Sequence, residues 1–105
     1  MIVNTPKPPY YAVIFTSKMS ENTSEYDVMS DLMLSLATKQ DGFIGIESAR
    51  NELGVTVSYW KDLESIKTWK AQSDHKNAQQ KGKQIWYKNY KVRISKVEYD
   101  YGFEK

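Results

Sequence analysis

Two short runs joined by a small loop set most of the limits on this chain. Phe43 to Arg50 and Val55 to Trp60 are rich in β-branched and aromatic residues, and Asn51-Glu52-Leu53-Gly54 between them has a turn former at each end. That combination reads as a β-hairpin. With Asn51 paired to Gly54, Ser48 faces Val57, Ile46 faces Tyr59 and Glu47 faces Ser58. One face then carries Ile44, Ile46, Val55, Val57 and Tyr59 and needs an apolar cover. The other carries Phe43, Gly45, Glu47, Ala49, Thr56, Ser58 and Trp60 and is mixed. An odd-length loop swaps the faces of one strand, so the division depends on register. After the hairpin, Asp62 is a good N-cap and Glu64 sits in the first helical turn. Ile66 and Trp69 follow at helical spacing and point one way, which makes them the expected cover of the apolar face.

The remaining chain supplies partners for this unit. Pro6, Pro8 and Pro9 make residues 1–9 an extended arm. Tyr10 to Ser17 is apolar on both faces, the pattern of a strand inside a sheet covered on both sides. Thr23 to Lys39 is the first expected helix, capped by Asn22 or Ser24, with Tyr26, Met29, Met33, Leu36 and Ala37 as its apolar stripe. Gly42 closes the connection to the hairpin. A second helical piece is expected from Ser73 to about Tyr87, weakened at Gly82. Tyr90 to Tyr101 is the last strand. Its apolar alternation changes phase midway, as a β-bulge near Ser95-Lys96 would produce, or a strand whose two halves meet different partners.

The order is β-α-β-β-α-β with an extra helix before the last strand. It predicts one ferredoxin-like α+β domain over residues 1–105, a four-stranded antiparallel sheet with helices on one face. The face with Thr56, Ser58, Trp60 and Glu47 has no cover within the chain, so a homodimer is expected to supply one.

Composition closes off several chemistries. There are 105 residues, a formal net charge of +2 with the signs interspersed, and no cysteine. The charge pattern does not point to nucleic acid. The missing cysteines exclude disulfides, thiolate metal sites and thiol nucleophiles, and fit the cytoplasm. No apolar run approaches the ~18 residues of a membrane span, and the N-terminus has no signal-peptide core. There is no Walker A loop, GxGxxG, HExxH or GxSxG.

Few side chains are then left for chemistry. His75, the one histidine, has an unperturbed pKa of about 6.5, which suits a base near neutrality. Its plainer reading is a half-exposed residue at a helix N-terminus. Trp69 can line a pocket or simply fill the core. Trp60, Tyr59, Tyr99 and Tyr101 suit an aromatic ligand, or core and dimer interface. Glu47 needs a partner if it is buried, with Arg50 and Arg93 the candidates, and otherwise sits at a wet edge.

GFIGIESARN, GVTVSYWKDLESIKTWK and SDHKNAQQKG together resemble the antibiotic biosynthesis monooxygenase domain family, in an order that covers most of the chain. The resemblance implies a dimeric α+β barrel. Some members oxygenate aromatic polyketides or quinols with O₂ alone, needing no cofactor, metal or flavin; others bind and degrade haem. It also implies a pocket between sheet and helices, at Trp69, His75 and Gln79 with Tyr59 and Val57 below. His75 would be the base. The plainer alternative on the same fold is a non-catalytic protein that binds a small apolar ligand. Haem-degrading members carry a helix tryptophan followed ten positions later by the histidine that ligates iron. Here Trp69 is followed at that distance by Gln79, a poor iron ligand. Those members also carry an asparagine on the first strand, and Tyr10 to Ser17 contains none. Haem degradation is therefore not expected.

Overall fold

Tyr10–Met19 forms β1, the strand on which the molecule is built. It is paired along both edges, to Gly54–Trp60 (β3) on one side and to Tyr87–Val97 (β4) on the other. Phe43–Arg50 (β2) completes a four-stranded antiparallel sheet in the order β2-β3-β1-β4. The computed structural model describes residues 1–72 and 85–105. Among the described residues two helices, Tyr26–Thr38 (α1) and Leu63–Ala71 (α2), lie in the connections between strands. This is the α+β, ferredoxin-like order expected, with β1 interior as its two apolar faces require. Among the described residues no helix is long and apolar enough to cross a membrane.

The helices lie on one side of the sheet. Trp69 of α2 stacks on Trp60, with ring centroids 6.2 Å apart. Tyr26, at the start of α1, meets Tyr87 edge-on at 6.0 Å, and Tyr87 meets Phe15 at 5.3 Å. Cross-strand partners point to the same side, so this covered side carries Tyr11, Val13, Phe15 and Ser17 of β1 with Thr56, Ser58 and Trp60 of β3.

For β3 that assignment reverses the expected one, while Ile46 of β2 lies on the covered side and Glu47 on the open side, as expected. Arg50 pairs with Gly54, so the hairpin loop is the three residues 51–53, and Gly54 belongs to β3. Glu47 therefore faces Val57, Ile46 faces Ser58, and Gly45 faces Tyr59 across an irregularity between Phe43 and Gly45. Trp60, expected on the uncovered face, is fully buried under α2. Val55, Val57 and Tyr59, expected beneath the helix, lie on the open face. The physical reason is bulk: Trp60, Phe43 and Trp69 form one aromatic cluster, and an indole is the largest apolar side chain a strand can remove from water.

Other expectations are corrected at element ends. α1 starts at Tyr26 rather than Thr23; its N-cap is Glu25, in the left-handed region, while Asn22 accepts from the Ser24 N–H just upstream. β4 begins at Tyr87, a residue expected at the end of a helix. Its pairing with β1 runs unbroken from Tyr10↔Val97 to Lys18↔Asn89, and the one irregularity falls at Lys18/Met19, not at Ser95-Lys96. The change of phase marks the end of the strand, because Tyr99 and Tyr101 lie beyond it. The helix expected from Ser73 lies outside the described residues as far as residue 84. Asp62 caps α2 as expected, accepting from the Ser65 N–H at 2.8 Å. Gly42 has φ +84, and a Cβ there would run into the Ser65 side chain.

Candidate functional site

The covered side of the sheet is ordered in rows, each contributed by all four strands. Phe43, Trp60, Tyr11 and Lys96 form the first; Ile46, Ser58, Val13 and Ile94 the second; Ser48, Thr56, Phe15 and Val92 the third; Arg50, Gly54, Ser17 and Tyr90 the fourth. At two residues per row the first and last are about 20 Å apart. β2 and β3 place hydroxyls along the middle, and Ser48 and Thr56 share a hydrogen bond at 3.0 Å. β1 and β4 place apolar side chains beside them.

Aromatic groups close both ends. At the first row Trp60 packs against Phe43 and Trp69, and its indole N–H donates to Ser58 Oγ at 2.9 Å. Ile66 of α2 is buried there too. At the other end Phe15 of the third row stacks on Tyr90 of the fourth at 5.2 Å, and Tyr87 stands edge-on to both. Trp86 holds α1 down, donating from its indole N–H to the Ser24 carbonyl at 2.8 Å while Tyr26 meets its ring edge-on. Between these ends the floor is open: Ile94 is 50% exposed and Val92 40%. The side between sheet and helices is therefore an apolar strip lined on one flank by hydroxyls.

The polar groups of the fourth row are specific. Arg50 lies across Gly54 and donates to both the hydroxyl and the carbonyl of Ser17. Ser17 is almost wholly buried. Burial pushes the Tyr87 phenol well above its ordinary pKa; a hydrogen bond and charge from Tyr26 add to this, and the Arg50 guanidinium opposes it. Tyr87 therefore stays protonated and can donate.

Of the residues singled out from sequence, Trp69 is on this side. Tyr59 and Val57 are not: the sheet itself separates them from Trp69. His75 and Gln79 lie outside the described residues. Glu47 has neither Arg50 nor Arg93 as its partner. On the open face it accepts from the Tyr59 hydroxyl at 2.6 Å and from the Val3 N–H at 2.9 Å. The N-terminal arm thus crosses the open face, where a Cβ on Gly45 would collide with Val3. The hydroxyls of Thr5 and Tyr10 donate to Asp100 at 3.2 and 2.5 Å and tie the C-terminal segment to the same end. A shallow groove of about 430 Å³ runs between Pro6, Lys7 and Pro9 of the arm and Gly42, Phe43 and Ile44. It shares only Phe43 with the aromatic ends described above.

The fourth row was not anticipated. Ser17 is the one detail that could have signalled it, a small hydroxyl residue closing an apolar strand on the same side as Phe15.

No protein-family model matches the chain. The uncharacterised protein YqjZ of Bacillus subtilis strain 168 is 47% identical over 96 residues, which span 90% of this chain and 84% of YqjZ. Solved structures share the fold at much lower identity. Rv0793 of Mycobacterium tuberculosis matches with a TM-score of 0.75 at 12% identity, over 90% of this chain and 99% of its own. A candidate antibiotic biosynthesis monooxygenase from Deinococcus radiodurans matches with 0.75 at 11%, over 91% and 99%. SnoaB of Streptomyces nogalater, a cofactor-independent oxygenase, matches with 0.71 at 10%, over 93% and 100%.

Proposed function

The chain belongs to the family of Bacillus subtilis YqjZ and has the fold of antibiotic biosynthesis monooxygenase-like proteins, and on that premise we propose that it is a cofactor-independent monooxygenase of a small electron-rich aromatic or quinol. The observation that carries the reading is the apolar strip of Val13, Phe15, Val92 and Ile94, open between two aromatic clusters on the helix side of the sheet. It offers a flat ring two apolar walls and a flank of hydroxyls. That SnoaB, of the same fold, is a cofactor-independent oxygenase supports the chemistry.

The reaction asks little of the protein. A substrate phenol or enol loses a proton and becomes electron-rich enough to reduce O₂. For an activated methylene, CH₂ and O₂ give C=O and water: one oxygen atom of O₂ ends in the carbonyl and the other in water, while the substrate supplies all four electrons and the two hydrogens. The protein seats the ring, excludes bulk water and accepts the proton. His75 is assigned that proton, and Trp69 a place in the wall. The open face of the sheet is assigned to a second copy of the chain.

Oxygen uptake over a panel of quinols and anthrones tests this. Turnover of at least one compound is expected, and His75→Ala should lower it roughly 10²-fold or more with little change in melting temperature. If no compound consumes oxygen while some raise the melting temperature, the protein is a small-molecule-binding module instead. A large loss of stability in His75→Ala would make the histidine structural.

A further inference from the structure

Arg50 is held in an unusual way for a residue at the end of a strand. Its guanidinium lies flat over Gly54, where any side chain would occupy its place. Two of its nitrogens donate to Ser17, to the hydroxyl and to the carbonyl at 3.4 Å. Ser17 is 1% exposed, so the anchor is buried, while Arg50 itself is exposed. The brace is also neutral. Among the described residues Arg50 makes no ion pair, and Glu47, the carboxylate expected to meet it, is engaged on the opposite face.

A guanidinium has five N–H donors in a fixed fork. Two are directed at Ser17, and among the described residues no other group takes the rest and no carboxylate cancels the charge. In the same row stands Tyr90, stacked on Phe15, with the protonated Tyr87 beside them. A full positive charge thus sits at one end of an apolar strip, fixed in orientation and next to aromatic rings.

We propose that Arg50 binds the carboxylate of the ligand, so that the ligand class of this site is a flat aromatic acid, its ring lying on Phe15 and the Val92–Ile94 strip. The proposal rests on reading the helix side as a ligand seat and narrows what that seat takes. The geometry suits a planar carboxylate, which pairs with a guanidinium through two parallel hydrogen bonds.

Equilibrium binding to 1-hydroxy-2-naphthoate and to its neutral counterpart 1-naphthol, followed by tryptophan fluorescence and calorimetry, tests it. The wild-type protein is expected to bind the acid roughly 10-fold tighter or more. Arg50→Gln should remove that preference and leave naphthol binding unchanged. Equal affinity for the two by wild type, no binding of either, or equal weakening of both by Arg50→Gln would overturn the proposal. Should Arg50→Gln fail to fold, Arg50→Lys decides: a lysine keeps the charge without the fork, so the preference should fall several-fold, and an unchanged preference overturns the proposal. Oxygen uptake is read separately. Acid preference without oxygen uptake leaves this site standing and ends the monooxygenase reading; oxygen uptake without acid preference does the reverse.

Discussion

The pair formed by Tyr59 and Glu47 shows how one hydrogen bond reports on a whole face. Burial first, then the neighbouring carboxylate, pushes the Tyr59 phenol up to about 12. The Tyr59 hydroxyl first, then the Val3 amide, holds Glu47 below its ordinary value against the opposing effect of burial. The signs follow from linkage. A carboxylate with a depressed folded-state pKa contributes stability that is present above the unfolded value of about 4.3 and lost as pH falls through the folded one. A phenol with a raised pKa costs stability as pH rises from about 10 towards its folded value. Glu47→Gln should therefore flatten the acid side of the stability curve and cost about 1 kcal/mol at neutral pH, a figure already reduced for solvent screening at a half-exposed site. Tyr59→Phe should flatten part of the alkaline side, with Tyr10 and Tyr87, also raised, supplying the rest. Urea titrations across pH check both. A Glu47→Gln curve parallel to wild type would remove the carboxylate from the account.

At the scale of elements, β3 decides which side of the sheet is the interior. Trp60 has no exposed surface, whereas Val57 on the other face is half-buried. Trp60→Ala should cost about 3–5 kcal/mol, a large share of the ~5–15 kcal/mol that holds such a domain together. Val57→Ala should cost less than half of that in the isolated protomer. Chemical denaturation ranks them, and equal losses would contradict the face assignment. The same strand explains what could be read beforehand and what could not. Element order, the central place of β1 and the Asp62 cap are local signals, set by period and by one side chain, and they were legible. The facing of β3 was not, because it turns on whether Asn51 or Arg50 pairs with Gly54, that is, on a loop of two residues or three, and asparagine suits either place. That single count moved Glu47 from Ser58 to Val57. Arg50 was legible as a charge but not as a site, because its brace on Ser17 joins residues far apart in the chain.

For the whole molecule the unfinished surface is the open sheet face. The arm and Asp100 close one end of it, but Ile14, Val55 and Val57 remain only half-buried. Beyond β4, Tyr99, Tyr101 and Phe103 are 78%, 86% and 89% exposed. A protomer alone would leave these three rings and an apolar sheet face in water, the signature of an interaction surface. A second copy presenting the same face covers both surfaces at once through a two-fold interface, and an extended tail is well suited to reach across it. The expected outcome is a particle of twice the chain mass by light scattering at micromolar concentration. Val57→Lys places an ammonium in the centre of that interface without entering the core around Trp60, so it should give a folded monomer, with an unchanged helix signal in circular dichroism. Removing residues 101–105 should weaken the dimer by a smaller amount, seen as dissociation on dilution. A wild-type protein that scatters as a monomer, or a Val57→Lys protein that stays dimeric, would take the interface away from this face.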